Sequence, residues 1–229
     1  MHVGQEVGLH VSRSITPQVL IFDFDGTLVD SKAGILTCLT ETLRERGLSW
    51  QEPLDWFLGP PAHVSMPRLL PSATPAEHKD IVEAYRTRYG KTGWLQGTVY
   101  PGVRTMLEAL HRGGHRMFIC TAKRRDFTLQ MLENLALACF FEGIYADSVD
   151  MPSHNKFELL RTLLIEHQIV AGTMIGDRVF DVEAGRTCGL RTIAVSYGYG
   201  SPEEFAVCRP DFVCRSPTEV LDVVYALSV

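Results

Sequence analysis

Asp23 and Asp25 stand two apart in Phe22-Asp23-Phe24-Asp25-Gly26-Thr27. Side chains at that spacing in an extended chain project to the same side. Two carboxylates in one small site do not both sit easily as bare anions. A cation, or a proton on one of them, resolves the conflict. Gly26 permits a sharp turn just past the pair. An Asp-Gly turn with solvated carboxylates reads from the same residues. The apolar run Val19-Leu20-Ile21-Phe22 before the pair and Thr27-Leu28-Val29-Asp30 after it argue against that simpler reading.

Three further places carry suitable groups. Thr121, after Met117-Phe118-Ile119-Cys120, offers a hydroxyl and a backbone N–H to an oxyanion, or caps a helix. Lys156 falls in the first turn of an apolar-periodic segment, where its charge opposes the helix dipole. A specific anionic partner would remove that mismatch; a solvated surface lysine is the alternative. His154, two residues earlier, reads as a loop residue. Gly176-Asp177 follows Thr173-Met174-Ile175, with Asp181 four residues on. Acids at a helix start are good caps, and that accounts for this pattern alone as well as metal binding does. Together, four acids, a hydroxyl and a lysine suit a hard cation held by oxygen ligands. They also suit a carboxylate nucleophile aimed at phosphorus.

These residues need elements to position them. Short apolar runs predict strands at 19–22, 117–120, 144–146, 173–175, 192–195 and 212–213. Helical spacing predicts helices over 32–46, 76–89, 101–110, 126–135, 157–167, 179–188 and 217–227. Strands alternating with helices predict an α/β fold, a Rossmann-like, mostly parallel sheet covered by helices on both faces. Open parallel sheets bind ligands at the carboxyl ends of their strands, where these groups fall. Residues 31–97 show no clear strand and read as a helical insert placed after the first strand. Within it, 50–75 fits neither periodicity and carries prolines at 53, 60, 61, 67, 71 and 75.

Composition narrows the function classes. The chain has 229 residues, 45% of them hydrophobic, enough for a sizeable core. The net charge is −5, and no basic tract exceeds Lys123-Arg124-Arg125. Nucleic-acid and anionic-membrane partners are therefore not expected. The 6 cysteines show no Cys-x-x-Cys pair and read as reduced thiols. No secretory signal opens the chain, and no apolar run reaches the roughly 20 residues of a membrane span. A soluble cytoplasmic protein is expected, with its oligomeric state open.

Asp23-x-Asp25-Gly26-Thr27, Thr121, Lys156 and Gly176-Asp177-x-x-x-Asp181 resemble the four motifs of the haloacid dehalogenase superfamily. The resemblance covers nearly the whole chain after Pro17. It implies a catalytic core over 17–30 and 98–229, with a helical cap domain over 31–97. Val29-Asp30-Ser31 and Tyr197-Gly198-Tyr199-Gly200-Ser201 look most like the branch of phosphoglycolate phosphatases and nucleotidase-like enzymes.

The resemblance implies a magnesium-dependent phosphatase of a small phosphate monoester, working through a phosphoaspartate. Asp23 would be the nucleophile and a metal ligand. Asp25 would be the acid and then the base, its backbone carbonyl touching the magnesium. Thr121 would hold phosphoryl oxygens, and Lys156 would neutralise charge. Asp177 would ligate the metal, and Asp181 would orient the site from behind it. The cap would supply specificity, through Gly59, Pro60, His63 and Arg68, with Met66 and Lys91 nearby. A phosphomutase of the β-phosphoglucomutase type shares the four motifs. A non-catalytic binding protein on the same fold would leave the intact acids and Lys156 unused. Dehalogenation would leave Asp25 and the second acidic pair unexplained.

Overall fold

The computed structural model describes residues 16–51, 53–148 and 155–228. His154 lies outside the described residues. A central strand, β1 (Val19–Phe22), leads into a short β2 (Val29–Asp30). Three helices follow: α1 (Lys32–Glu45), α2 (Ala62–Leu69) and α3 (Pro75–Lys91). The chain returns through β3 (Thr98–Val99), which pairs antiparallel with β2. Then come α4 (Val103–Arg112), β4 (Arg116–Arg124), α5 (Arg125–Asn134), β5 (Gly143–Asp147) and α6 (Lys156–Glu166). The remainder is β6 (Thr173–Gly176), α7 (Val179–Thr187), β7 (Arg191–Val195), α8 (Pro202–Cys208), β8 (Phe212–Cys214) and α9 (Pro217–Ala226).

Six strands form one sheet in the order β5-β4-β1-β6-β7-β8. Every pairing in it is parallel. Each β1 residue alternates faces, so the strand serves two cores at once. Leu20 and Phe22 join the cluster under α4 and α9, with Leu107 and Val220. Ile21 joins the opposite cluster, with Phe118, Leu160 and Leu163. This is the doubly covered α/β sheet expected of the alternating pattern.

The residues between β2 and β3 build a third cluster. Apolar residues Ile35, Cys38, Leu39 and Leu43 of α1 repeat at helical spacing and pack on Ile81, Val82, Tyr85 and Tyr89 of α3. Thr74 caps α3: its hydroxyl accepts from the Glu77 N–H while the Glu77 carboxylate accepts from the Thr74 N–H.

Two helices escape the sequence pattern, as do the two-residue strands β2 and β3. Helix α2 lies inside the proline-rich stretch that fits no periodicity. It forms despite Pro67, which removes one backbone bond within it, because Ser65, Met66 and Leu69 bury one face against the insert core. Helix α8 follows Ser201-Pro202, with the Ser201 hydroxyl accepting from the Glu204 N–H at 3.2 Å. All six cysteines are unpaired. Among the described residues, no helix is long and apolar enough to cross a membrane.

Candidate active site

Because β1 lies between β4 and β6, the ends of these three strands converge. Asp23 begins where β1 ends, its N–H donating to the Ile175 carbonyl at 2.8 Å. That bond ties the first acidic motif to the strand preceding Asp177. Gly26 turns the chain with φ +84, and a Cβ there would fall 2.2 Å from Asp177 Oδ2. A side chain at this position would therefore overlap the site, so glycine is required for space as well as for φ.

Asp23, Asp177 and Asp181 are all buried, with one carboxylate oxygen of each within 4.8 Å of the others. Lys156 Nζ lies 2.9 Å from Asp23 Oδ1 and also bonds Asp181 Oδ1. Lys156 is the cation paired with Asp23 among the described residues. Asp181 is otherwise committed, its Oδ2 accepting from the Arg178 N–H at 2.9 Å. Asp177 accepts from the Tyr199 N–H at 2.8 Å and from the Thr27 hydroxyl at 3.3 Å.

Burial raises the pKa of Asp23; Lys156 opposes that rise and Asp181 adds to it. Asp177 is pushed well above the usual carboxylate range by burial, then by Asp23 and Asp181. Burial by itself would lower the pKa of Lys156, but Asp181 and Asp23 together more than reverse this, and Lys156 stays protonated. Ionised together, three carboxylates would outnumber the one ammonium by two charges, the state that burial and their mutual repulsion oppose and a cation would favour. An all-oxygen donor set with that excess fits a hard divalent cation. Asp177 and Asp181 each accept a hydrogen bond on both oxygens, but Asp181 already faces the Lys156 ammonium, while the donors to Asp177, the Thr27 hydroxyl and the Tyr199 N–H, are neutral.

Asp25 sits beside this group with a different set of partners. Its carboxylate accepts from the Ser31 hydroxyl at 2.5 Å and from Lys123 Nζ at 2.9 and 3.2 Å. Lys123 also donates to the Tyr89 hydroxyl at 2.7 Å. Burial opposes the charge on Lys123, but Asp25 and Tyr89 together more than reverse this, so this lysine is also held protonated.

Sequence reasoning stops the second strand at Cys120, but β4 runs on to Arg124. Its register against β5 shifts between Thr121 and Arg124. Such irregularities re-aim side chains at a strand end, and this one brings both Thr121 and Lys123 to the cavity over Asp23. The only sequence signal for Lys123 was its place two residues after Thr121.

That cavity, about 90 Å³, is lined by Asp23, Asp25, Thr121, Lys123 and the Gly59-Pro60-Pro61 turn. Phe57, Tyr85, Arg86 and Tyr89 form its other wall, from the insert. A second cavity of about 140 Å³ also touches Asp23 and the same turn, and is walled by Val64, Phe180 and Arg178.

The insert residues named from sequence divide sharply. Gly59 and Pro60 line both cavities. His63 and Arg68 line neither: both are exposed on α2. Arg68 instead stacks over Trp56, 4.0 Å from the ring centroid. Met66 is buried in the insert core, and Lys91 is exposed. The cause is helical phase: turning Ser65, Met66 and Leu69 inward carries His63 and Arg68 outward. Arg86, Tyr89 and Arg178 went unnoticed because nothing in their local spacing marks them.

A model of the haloacid dehalogenase-like hydrolases matches residues 20–195. A Pseudomonas aeruginosa protein named 5'-nucleotidase is 32% identical, covering 85% of this chain and 90% of its own length. A Mycobacterium tuberculosis protein named tyrosine-protein kinase PtkA is 30% identical, covering 90% of this chain and 68% of its own. A Vibrio parahaemolyticus phosphoglycolate phosphatase is 28% identical, covering 90% of this chain and 96% of its own. Among solved structures, a haloacid dehalogenase-like family hydrolase of Streptococcus pneumoniae superposes with a TM-score of 0.83. It is 29% identical and covers 90% of this chain and 98% of its own. Strand order, converging acids and matched span agree: this chain belongs to the haloacid dehalogenase-like hydrolases.

Proposed function

We propose that the protein is a magnesium-dependent phosphatase of small phosphate monoesters, acting through a phosphoaspartate on Asp23. The observation that carries this reading is the buried Asp23 carboxylate. It faces a cavity beside Thr121, pressed by Lys156 on one side and by Asp177 on the other.

Asp23 attacks phosphorus, and the ester oxygen leaves with the bonding pair. Asp25 gives that oxygen a proton, then takes one from the water that attacks the phosphoaspartate. Inorganic phosphate departs and the Asp23 carboxylate is restored. Thr121 and Lys156 hold and neutralise the phosphoryl oxygens, the kind of positioning and charge stabilisation that dominates phosphoryl transfer. Asp23, Asp177 and the Asp25 carbonyl would hold the metal, with Asp181 behind them. Magnesium, when bound, supplies positive charge against the transferring group.

Residues 31–97 act as a cap in this reading. They leave and return through β2 and β3 and wall the cavity with Phe57, Tyr85, Arg86 and Tyr89. A roofed cavity of this size favours small esters over proteins or polynucleotides.

Two measurements test the reading. Hydrolysis of an aryl phosphate should need magnesium and stop with chelator. Acid-quenched enzyme should carry a phosphoryl adduct on the peptide containing Asp23. Asp23→Asn should abolish both the adduct and turnover, a loss of at least about 10⁴-fold. Full activity in excess chelator, or an adduct on another residue, overturns it.

A further inference from the structure

One arginine joins the acidic motif to the insert. Arg178 stands between Asp177 and Asp181, and its own N–H donates to Asp181 Oδ2 at 2.9 Å. Its guanidinium reaches from the sheet side to the insert: Nη1 donates to the Leu58 carbonyl, across 120 residues of sequence. Its Nε donates to both Glu204 oxygens, at 3.1 and 3.2 Å. Glu204 in turn accepts from the Val179 N–H at 2.5 Å. The guanidinium is thus fixed from behind before it reaches the insert, and its side chain is only 13% exposed.

What it holds is the turn over Asp23. Gly59 has φ +104, and a Cβ there would fall 2.6 Å from Arg178 Nη1. Glycine meets the backbone requirement and lets the guanidinium reach the Leu58 carbonyl. The next residues, Pro60 and Pro61, line both cavities at Asp23, so this stiff turn is the wall between them.

We infer that Arg178 is a positioning residue that fastens the Leu58–Pro61 turn over Asp23, with Glu204 aligning its guanidinium. Resting on the phosphatase reading, this means that the residue whose N–H holds Asp181 also sets, through its side chain, the shape of the leaving-group space. An arginine suits the task because its planar fork holds a carboxylate and a carbonyl at once, where lysine is a point donor.

The full-length protein tests this with two separate readouts. Hydrogen exchange at the amides of Phe57, Leu58, Gly59 and Ala62, the N–H groups in and beside the turn, does not depend on activity. Arg178→Ala should speed it by about 10- to 100-fold, the range expected for losing a hydrogen bond from a charged donor. Glu204→Gln should give a smaller increase, Arg178→Lys an intermediate one, and Arg186→Ala, a surface arginine on the helix that follows Arg178, none.

In aryl phosphate turnover, Arg178→Ala should raise KM and lower kcat together, with the magnesium concentration for half activity unchanged. Gly59→Ala should do the same in wild type. In the Arg178→Ala background it should cost less, because the group that its methyl meets is gone. Unchanged exchange at these turn amides in Arg178→Ala, or fully additive effects of Arg178→Ala and Gly59→Ala on both readouts, overturns the inference. Absence of turnover in the wild type would instead refute the phosphatase reading and leave the exchange arm standing.

Discussion

The sheet side and the insert differ in how their functional residues are placed. On the sheet side, Asp23, Asp25 and Asp177 sit within a few residues of a strand end, and Asp181 and Lys156 in the first turn of a helix. Backbone geometry alone delivers them. In the insert, Arg86, Tyr85 and Tyr89 reach the cavity only because α3 packs on α1 with one particular face. In the proposed function, chemistry is anchored to local structure, and recognition depends on a second core, separate from the sheet. The two regions should therefore fail independently.

Paired core truncations probe that independence with the largest effect. Leu163→Ala, in the cluster under the sheet, and Leu39→Ala, in the insert, should each cost about 2–5 kcal/mol. Leu163→Ala should lower the thermal midpoint of the whole chain. Leu39→Ala should expose the insert to protease first, while magnesium still raises the midpoint of what remains. One common transition, shifted equally by both, would merge the two regions into one cooperative unit.

Lys123→Met sharpens the contrast at the seam. Lys123 belongs to β4 yet binds both Asp25 and the insert's Tyr89. We expect kcat to fall about 10- to 100-fold, less than the upper range for removing a proton-transfer group itself. A kcat within twofold of wild type would mean that Asp25 needs no help from this lysine.

Arg86 is a half-buried cation on the cavity wall for which no ion-pair partner is found among the described residues. Arg86→Ala should raise KM about tenfold for esters with a second anionic group, equivalent to losing about 1.4 kcal/mol, and leave an uncharged aryl ester within twofold. Equal effects on both esters would remove Arg86 from recognition.

Arg68→Ala should do least. It loses a stack on Trp56 worth about 0.5–1 kcal/mol of stability and should leave kcat/KM within twofold. A large loss of activity would restore Arg68 to the site despite its exposed place on α2.

The acidic pairs, Lys156 and the parallel α/β architecture left signals in the sequence because each rests on short-range rules, although capping and a solvated lysine fitted the same residues locally. Side chains two apart share a side of a strand, a lysine against the helix dipole favours a nearby anion, and apolar periods of two and 3.6 name strands and helices. Those rules reach only a few residues along the chain. Lys123 meets Asp25 across 98 residues and Arg178 meets Leu58 across 120. No periodicity encodes either contact; both arise from the order of strands in the sheet and the seating of the insert against it. His63 and Arg68 mark the same boundary from the other side. Their types suited an anionic substrate, but the phase of α2 is set by Met66 and Leu69 sinking into the insert core, and that burial turns the two cations to solvent.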